Sequence, residues 1–571
     1  MIKPAKIFSL IGLLLLSVFT KVVAQKDEKK PNIIFLLTDD QRYEALGCMG
    51  NDEIQTPNID KLGNEGVIFK NFYNTTSICM ASRAQMMTGM YEYKTGCNFS
   101  HGPLTQEKFE KSYPKLLQKA GYKTGFTGKF GYAVRAEKDL SMKGASNYHS
   151  NDALPIDQFD WWKGWPGQGY YQTGKNSTMK KYAAEFPHVS RALGASSRDF
   201  IKQYANKKDP FCLSVSFKAP HSPVSPDPIY NEVYAGKTFK KFPNLGKKGG
   251  AHLPEQAKLG RQYIKLGKRW EGAEYDKSVA KYYQLIHAVD VAVGMILEEV
   301  EKQGIADNTI IIFTSDNGYS TGAHGFGGKV LPYEEGARGP LLIYAPGSKS
   351  INKGWVSDAL VGNIDMAPTI LDFAGLPIPE NMDGKSLVSL VEKKGAAVKE
   401  DQAIIQAWGE DPTHALTIVA GDYKYLYWFY GEGMQPKEEL YNLKLDLYEM
   451  NNLAGDSKHA KKLKEMQGRY DTYVARWKKE AVPYGNYQMY AALYDRTVSW
   501  EVKRELLQID KKKQIALKKK KKEKALGITE ADKKKAKKAK KAKKAKESKA
   551  IKAKANAKSN ADNSEITSVD Q

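Results

Sequence analysis

The chain has 571 residues, 41% of them hydrophobic, and a net charge of +23. That is room for one large domain with a smaller one beside it, and a chain of this size does not depend on a disulfide framework. Residues 511–558 hold 23 lysines against Glu523, Glu530, Asp532 and Glu547, a net of +19, so everything else contributes only +4 and the basic character describes a tail.

Lys3 and Lys6 precede an apolar run from Ile7 to Phe19, followed by Val22-Val23-Ala24. A charged start, an apolar middle and small residues at a cleavage point predict a secretory signal peptide over residues 1–24, hence a periplasmic or secreted protein. The run is shorter than the ~20 residues of a membrane span, and no other segment reads as transmembrane.

Ile33 to Leu37 is a continuous apolar run ending in Thr38-Asp39-Asp40, and Thr309 to Phe313 is another, ending in Thr314-Ser315-Asp316-Asn317-Gly318. Both read as buried strands of a parallel sheet with acids at their C-terminal ends, the edge where open α/β sheets bind ligands. Between them come a helix from Tyr113 to Ala120, a short strand from Lys123 to Thr127, a buried strand from Pro210 to Phe217, and a helix from Lys281 to Gln303 stopped by Gly304. This alternation predicts an α/β domain over residues 28–395, a large doubly wound mixed sheet flanked by helices. Over residues 400–500 the texture changes. Leu416 to Phe429 reads as two strands joined at Gly421-Asp422, and a helix from Lys458 to Glu480 carries Leu463, Met466, Tyr470, Tyr473 and Trp477 on one face. A smaller antiparallel sheet packed with a helix is expected there. Residues 511–571 lack apolar periodicity and are expected to be disordered or transiently helical. Such a tail either contacts polyanions or is simply solvated, and no motif points to a specific nucleic acid.

The chemistry gathers at Cys79-Met80-Ala81-Ser82-Arg83, followed by Met87-Thr88-Gly89. A helix starting at Cys79 puts Arg83 on the same face one turn later, and its N-terminus favours an anionic group. Asp39, Asp40, Asp316 and Asn317 offer only oxygen ligands, which suit Ca²⁺ or Mg²⁺ over Zn²⁺; the amide favours calcium. Taken alone, Asp39-Asp40 reads more often as a turn or helix cap than as a ligand pair, and Asp316-Asn317-Gly318 as an ordinary turn.

The pattern C-x-A-S-R-x-x-x-x-T-G resembles the maturation signature of the type I sulfatases, of the alkaline phosphatase superfamily. Further stretches follow in that family's order: Thr56 to Leu62, Gly128-Lys129, Ala219-Pro220-His221-Ser222-Pro223, Asp316-Asn317-Gly318, His324-Gly325, Lys329, Tyr333 to Gly336, Asp365 to Thr369, Glu439 to Leu443 and Asn452 to Ala454. The resemblance spans roughly residues 30–480. It implies that a maturase oxidises Cys79 to Cα-formylglycine, whose hydrate attacks sulfur. It further implies that Asp39, Asp40, Asp316, Asn317 and modified Cys79 hold one Ca²⁺, and that Arg83 stabilises the hydrate. Lys129, His221 and Lys329 would contact the sulfate, with His221 protonating the departing alcohol. Many members carry a histidine after the lysine and one further residue, whereas this chain reads Lys129-Phe130-Gly131. His324 is then a candidate stand-in, or a residue that contacts substrate or lines the pocket. With Cys79 modified, Cys48, Cys97 and Cys212 remain, an odd number, and no disulfide framework is expected.

The implied activity is removal of sulfate from a sulfated polysaccharide or oligosaccharide. Trp161, Trp162, Trp165, Tyr170 and Tyr171 are expected to suit stacking on sugar rings. The alternatives are a phosphatase or phosphonate hydrolase on the same fold, and a non-catalytic polyanion-binding protein.

Overall fold

Strand β1 (Asn32–Asp39) carries apolar side chains on both faces. Ile33, Phe35 and Leu37 enter one core cluster, Ile34 and Leu36 another. Successive side chains of a strand point to opposite faces, so an unbroken apolar run belongs to a sheet covered on both sides. The structure, a computed structural model, describes residues 29–140, 147–205, 207–348, 350–393 and 397–508. The signal peptide and the lysine-rich tail expected from the sequence lie outside these residues.

The strands that follow are β2 (Val67–Tyr73), β3 (Leu104–Thr105), β4 (Lys123–Lys129), β5 (Val134–Arg135), β6 (Trp161–Trp165), β7 (Phe211–Pro220), β8 (Thr309–Ser315), β9 (Leu341–Tyr344) and β10 (Trp355–Gly362). β3 pairs with β5, and the other eight form one sheet in the order β10-β2-β9-β8-β1-β7-β4-β6. β9 runs antiparallel to β2 and β8, and every other pairing in this sheet is parallel, so the sheet is mixed.

On one face lie α1 (Pro57–Asn64), α4 (Val189–Tyr204) and α5 (Tyr275–Lys302); on the other lie α2 (Cys79–Thr88), α3 (Tyr113–Lys119) and α6 (Met366–Phe373). Helix α5 begins six residues before the expected Lys281, because Tyr275 and Val279 are buried in an aromatic cluster with Trp270 and Tyr282.

The smaller sheet is antiparallel throughout, β11 (Asp401–Gln406), β12 (Ala415–Ala420), β13 (Tyr423–Trp428) and β14 (Lys437–Asn442), in sequence order. Helix α7 (Ala460–Glu480) buries Met466, Tyr470, Val474 and Trp477, and the Tyr470 ring meets Tyr425 and Tyr427 of β13 edge-on. Val474 takes the buried place expected for Tyr473, which is half-buried like Leu463. Both sheets belong to one unit that runs to Trp500; residues 501–508, helical, belong to a second. Among the described residues no helix is long and apolar enough to cross a membrane.

Candidate functional site

Parallel register brings the chemistry to one sheet edge. Thr38 lies beside Ser315 in the β1–β8 pair, Asp39 beside Pro220 in β1–β7, and Gly128 beside Ser216 in β4–β7. The C-terminal ends of four adjacent strands therefore deliver Lys129, His221, Asp39 with Asp40, and Asp316 with Asn317 to one place. Two glycines make the Lys129 end possible. A Cβ on Gly128 (φ +108°) would lie 1.9 Å from Ser216 O, and one on Gly131 (φ +89°) would lie 2.6 Å from Arg83 Cδ.

Helix α2 starts at Cys79 and stops at Gly89, which adopts a left-handed φ of 67°. All ten of its residues are buried. Its polar side is satisfied by Asn363, whose Nδ2 donates to Ser82 Oγ at 2.9 Å and to Gln85 Oε1 at 3.0 Å. Ser82 of the signature is thus an anchor for the helix.

The Cys79 thiol donates to Asp39 Oδ1 at 3.2 Å, and Lys329 Nζ stands 2.9 Å from Cys79 Sγ. Lys329 also pairs with Asp40, and Lys129 with Asp39. Arg83 Nε donates to Asp316 Oδ2 at 2.7 Å and Nη1 to Lys129 O at 2.8 Å; Nη2 is 3.6 Å from Asp39 Oδ2. Tyr171 Oη donates to His221 O at 2.6 Å, and His221 Nε2 faces Asp40 Oδ2 at 3.8 Å. Gly328 and Val330, flanking Lys329, both have φ above +90°. For a β-branched residue that is a strained backbone, held here by packing against Ile78 and Ala81.

Three carboxylates thus face three fixed cations. Burial opposes the Asp39 charge, but Lys129, His221, Lys329 and Arg83 hold its carboxyl well below the ordinary range. Burial and the neighbouring Asp39 lift Asp316 to about 6. Burial, helped by Asp39, lifts the Cys79 thiol to about 12, so the unmodified side chain is a poor nucleophile. Burial lowers His221 to about 4 against the pull of Asp39 and Asp40.

One ligating atom from each of Asp39, Asp40, Cys79 and His221 falls within a 4.8 Å cluster. Asn317 Nδ2 donates to Asp40 Oδ1 at 2.7 Å, while Asn317 Oδ1 is buried and accepts no hydrogen bond. A buried oxygen left without a donor, beside two carboxylates, suits a hard cation. The residues present therefore fit a hard cation such as calcium. A cavity of about 440 Å³ opens over Cys79, Asp40, His221 and Lys329, with Phe99, Tyr148 and Trp408 as an aromatic wall and Arg261 and Gln262 at its side. That volume is in the range of small-molecule sites.

Several sequence expectations need correction. His324 does not line this cavity: it is fully buried, its Nδ1 is 3.3 Å from Gly249 O, and Asn244 Nδ2 reaches its Nε2 at 3.1 Å. The same amide donates to Glu335 Oε1 at 2.7 Å, so His324 braces a loop. The position of the family histidine is Gly131, where Arg83 packs too close for a side chain, and the preceding Phe130 is buried among Phe126, Phe109, Tyr132 and Trp162. Of the aromatic residues expected to stack on sugar, Trp165 and Tyr171 are buried, Trp161 and Trp162 pack on Phe200 and Phe126, and only Tyr170 is open, at 55% exposure. Sequence reasoning missed Lys218, buried on β7 two residues beyond Ser216 and lowered to about 8 by burial and then Lys129. A lone lysine carries no signal that would have found it.

Comparison with known proteins matches the sulfatase family model over residues 31–376 and a model for the C-terminal part of N-sulphoglucosamine sulphohydrolase over residues 322–475. The chain is 30% identical to an N-acetylglucosamine-6-O-sulfatase of Bacteroides thetaiotaomicron, over 80% of this chain and 88% of that protein. It is 29% identical to the human N-acetylglucosamine-6-sulfatase, over 67% of this chain and 69% of that one. A solved structure in complex with its substrate D-glucosamine-2-N,6-O-disulfate superposes with a TM-score of 0.66 at 27% identity, covering 79% of this chain and 99% of that one. With the family model spanning most of the chain and the signature cysteine at the head of a buried helix against paired aspartates, this protein belongs to the sulfatase family, enzymes that hydrolyse sulfuric esters.

Proposed function

We propose that the protein is an exported, calcium-dependent sulfatase that removes sulfate from a sulfated carbohydrate through a formylglycine made from Cys79. The observation that carries this reading is the meeting of Cys79, Asp39, Asp40 and His221 within one 4.8 Å cluster at the floor of a cavity. Hydrated formylglycine at residue 79 would supply the oxygen that displaces the alcohol at sulfur. Bound calcium, held by Asp39, Asp40, Asp316 and Asn317, would supply positive charge against the sulfuryl oxygens. Lys129 and Lys329 offset the charge that grows on those oxygens. Arg83 keeps Asp316 and the end of β4 in place. His221 holds the proton for the leaving alcohol; an anionic ester against the imidazole favours its charged form and counters the effect of burial.

A 6-O-sulfated amino sugar is the first substrate to try, since two relatives carry N-acetylglucosamine 6-sulfate in their names. The signal peptide supports export, and the 23 lysines of residues 511–558 support attachment to polyanionic material. The test is sulfate release by protein produced with a maturase, on a panel of sulfated sugars and an aryl phosphate. Release of sulfate that disappears in Cys79→Ala is expected. Preferential turnover of the phosphate ester overturns the reading.

A further inference from the structure

We infer that the substrate carries a second anionic group besides the sulfate to be removed, and that Arg261 binds it. This rests on the carbohydrate sulfatase reading above and deepens it. Arg83, Lys129 and Lys329 are each ion-paired to Asp316, Asp39 or Asp40. Arg261 lines the same cavity and forms no salt bridge among the described residues. Glu410, which reaches the neighbouring Gly260, forms none with it. The guanidinium lies over the Trp408 ring, 4.6 Å from its centre, and Trp408 in turn neighbours Phe99. A planar cation laid on an indole keeps its N–H edge free to grip a carboxylate or sulfate with two parallel hydrogen bonds.

Arg261 opens onto a π-helical turn, Gln262–Leu266, and such turns recur at functional sites. The turn is tied to the loop that carries Lys329, because Gly327 N donates to Gln262 O at 3.0 Å. Gln262 is buried, lines the cavity, and its Oε1 accepts no hydrogen bond. A cation without an anion at the side of the cavity matches a sugar that carries a negative substituent besides the sulfate. The second charge can be a sulfate on the same sugar or the carboxylate of a neighbouring uronic acid.

The experiment measures binding by calorimetry to full-length Cys79→Ala protein in calcium. Three ligands are compared: a singly sulfated hexosamine, the same sugar with a second sulfate, and the singly sulfated sugar joined to a uronic acid. One of the two dianions should bind roughly tenfold to a hundredfold more tightly than the singly sulfated sugar, the range of a charged hydrogen-bonded contact. Arg261→Ala should abolish that ratio, and Arg261→Lys should restore part of it. Whichever dianion shows the preference identifies the second group. Equal affinity for all three, or a preference that survives in Arg261→Ala, overturns the inference and leaves the sulfatase reading standing. No binding of any of the three overturns the carbohydrate reading itself and this inference with it.

Discussion

Lys129 and Asp39 form an ion pair in which neither side chain has any exposure to solvent. Removing one partner leaves a buried charge, which costs about 3–5 kcal/mol where measured in other proteins. Lys129→Met should lower stability by that order in urea unfolding, and Lys129→Met with Asp39→Asn should cost less than the single change. A loss below about 1 kcal/mol in the single variant would show that Arg83 and Lys329 suffice to hold Asp39.

Asn317 Oδ1 is buried without a donor while its amide donates to Asp40, the arrangement the proposed calcium site would use. Asn317→Ala should weaken calcium retention by at least about tenfold, the loss of one neutral oxygen ligand to a cation, and Asn317→Asp should keep it. Elemental analysis after dialysis against calcium of known concentration reads the outcome. Wild-type calcium content in the alanine variant would remove Asn317 from the ligand set.

Peptide mass spectrometry on protein from its native host should show residue 79 as the aldehyde. Cys79→Ala should melt as wild type does and release no sulfate. A free thiol in active protein would refute the mechanism.

Burial raises Asp290 to about 6, against hydrogen bonds from Ile59 N and Asn58 Nδ2, both at 2.8 Å. A carboxyl with a raised folded pKa binds its proton more tightly in the native state, so stability falls as pH rises from about 4 to about 6. Asp290→Asn keeps an acceptor for Ile59 and has no charge to bury. The wild type should therefore gain about 2 kcal/mol relative to the variant on going from pH 7 to pH 4.5, read from unfolding at both pH values. A difference that does not move with pH would mean that Asp290 stays charged throughout.

Truncation after residue 508 should leave turnover of a small sulfate ester unchanged and weaken retention on a sulfated polysaccharide column. That retention should fall steeply with salt, since screening sets in over about 8 Å at physiological ionic strength. Loss of small-substrate activity would make the tail part of the working enzyme.

Some of this was legible in the sequence for a physical reason. β1 and β8 are buried on both faces, so their apolar runs are unbroken, and the acids that end them mark the active edge. β9 was not legible: Leu341 to Tyr344 is four residues long, and nothing local says that it runs antiparallel between β2 and β8. His324 follows the same logic. Its partners, Asn244 and Gly249, come from a segment some 75 residues earlier and draw it away from the cavity. The cavity wall is assembled from Phe99, Tyr148, Arg261 and Trp408, four distant places whose juxtaposition only the fold decides.

The complete burial of α2 fixes when residue 79 can be altered. A modifying enzyme must take hold of the backbone around Cys79 to Arg83, and in the finished fold every one of those residues is enclosed, Cys79 at 1% exposure. Under the mechanism proposed above, conversion of Cys79 would belong to the interval between synthesis and folding, before α2 is enclosed. Protein that folded before meeting a maturase would on that mechanism stay unconverted, and unfolding would be its way back to conversion.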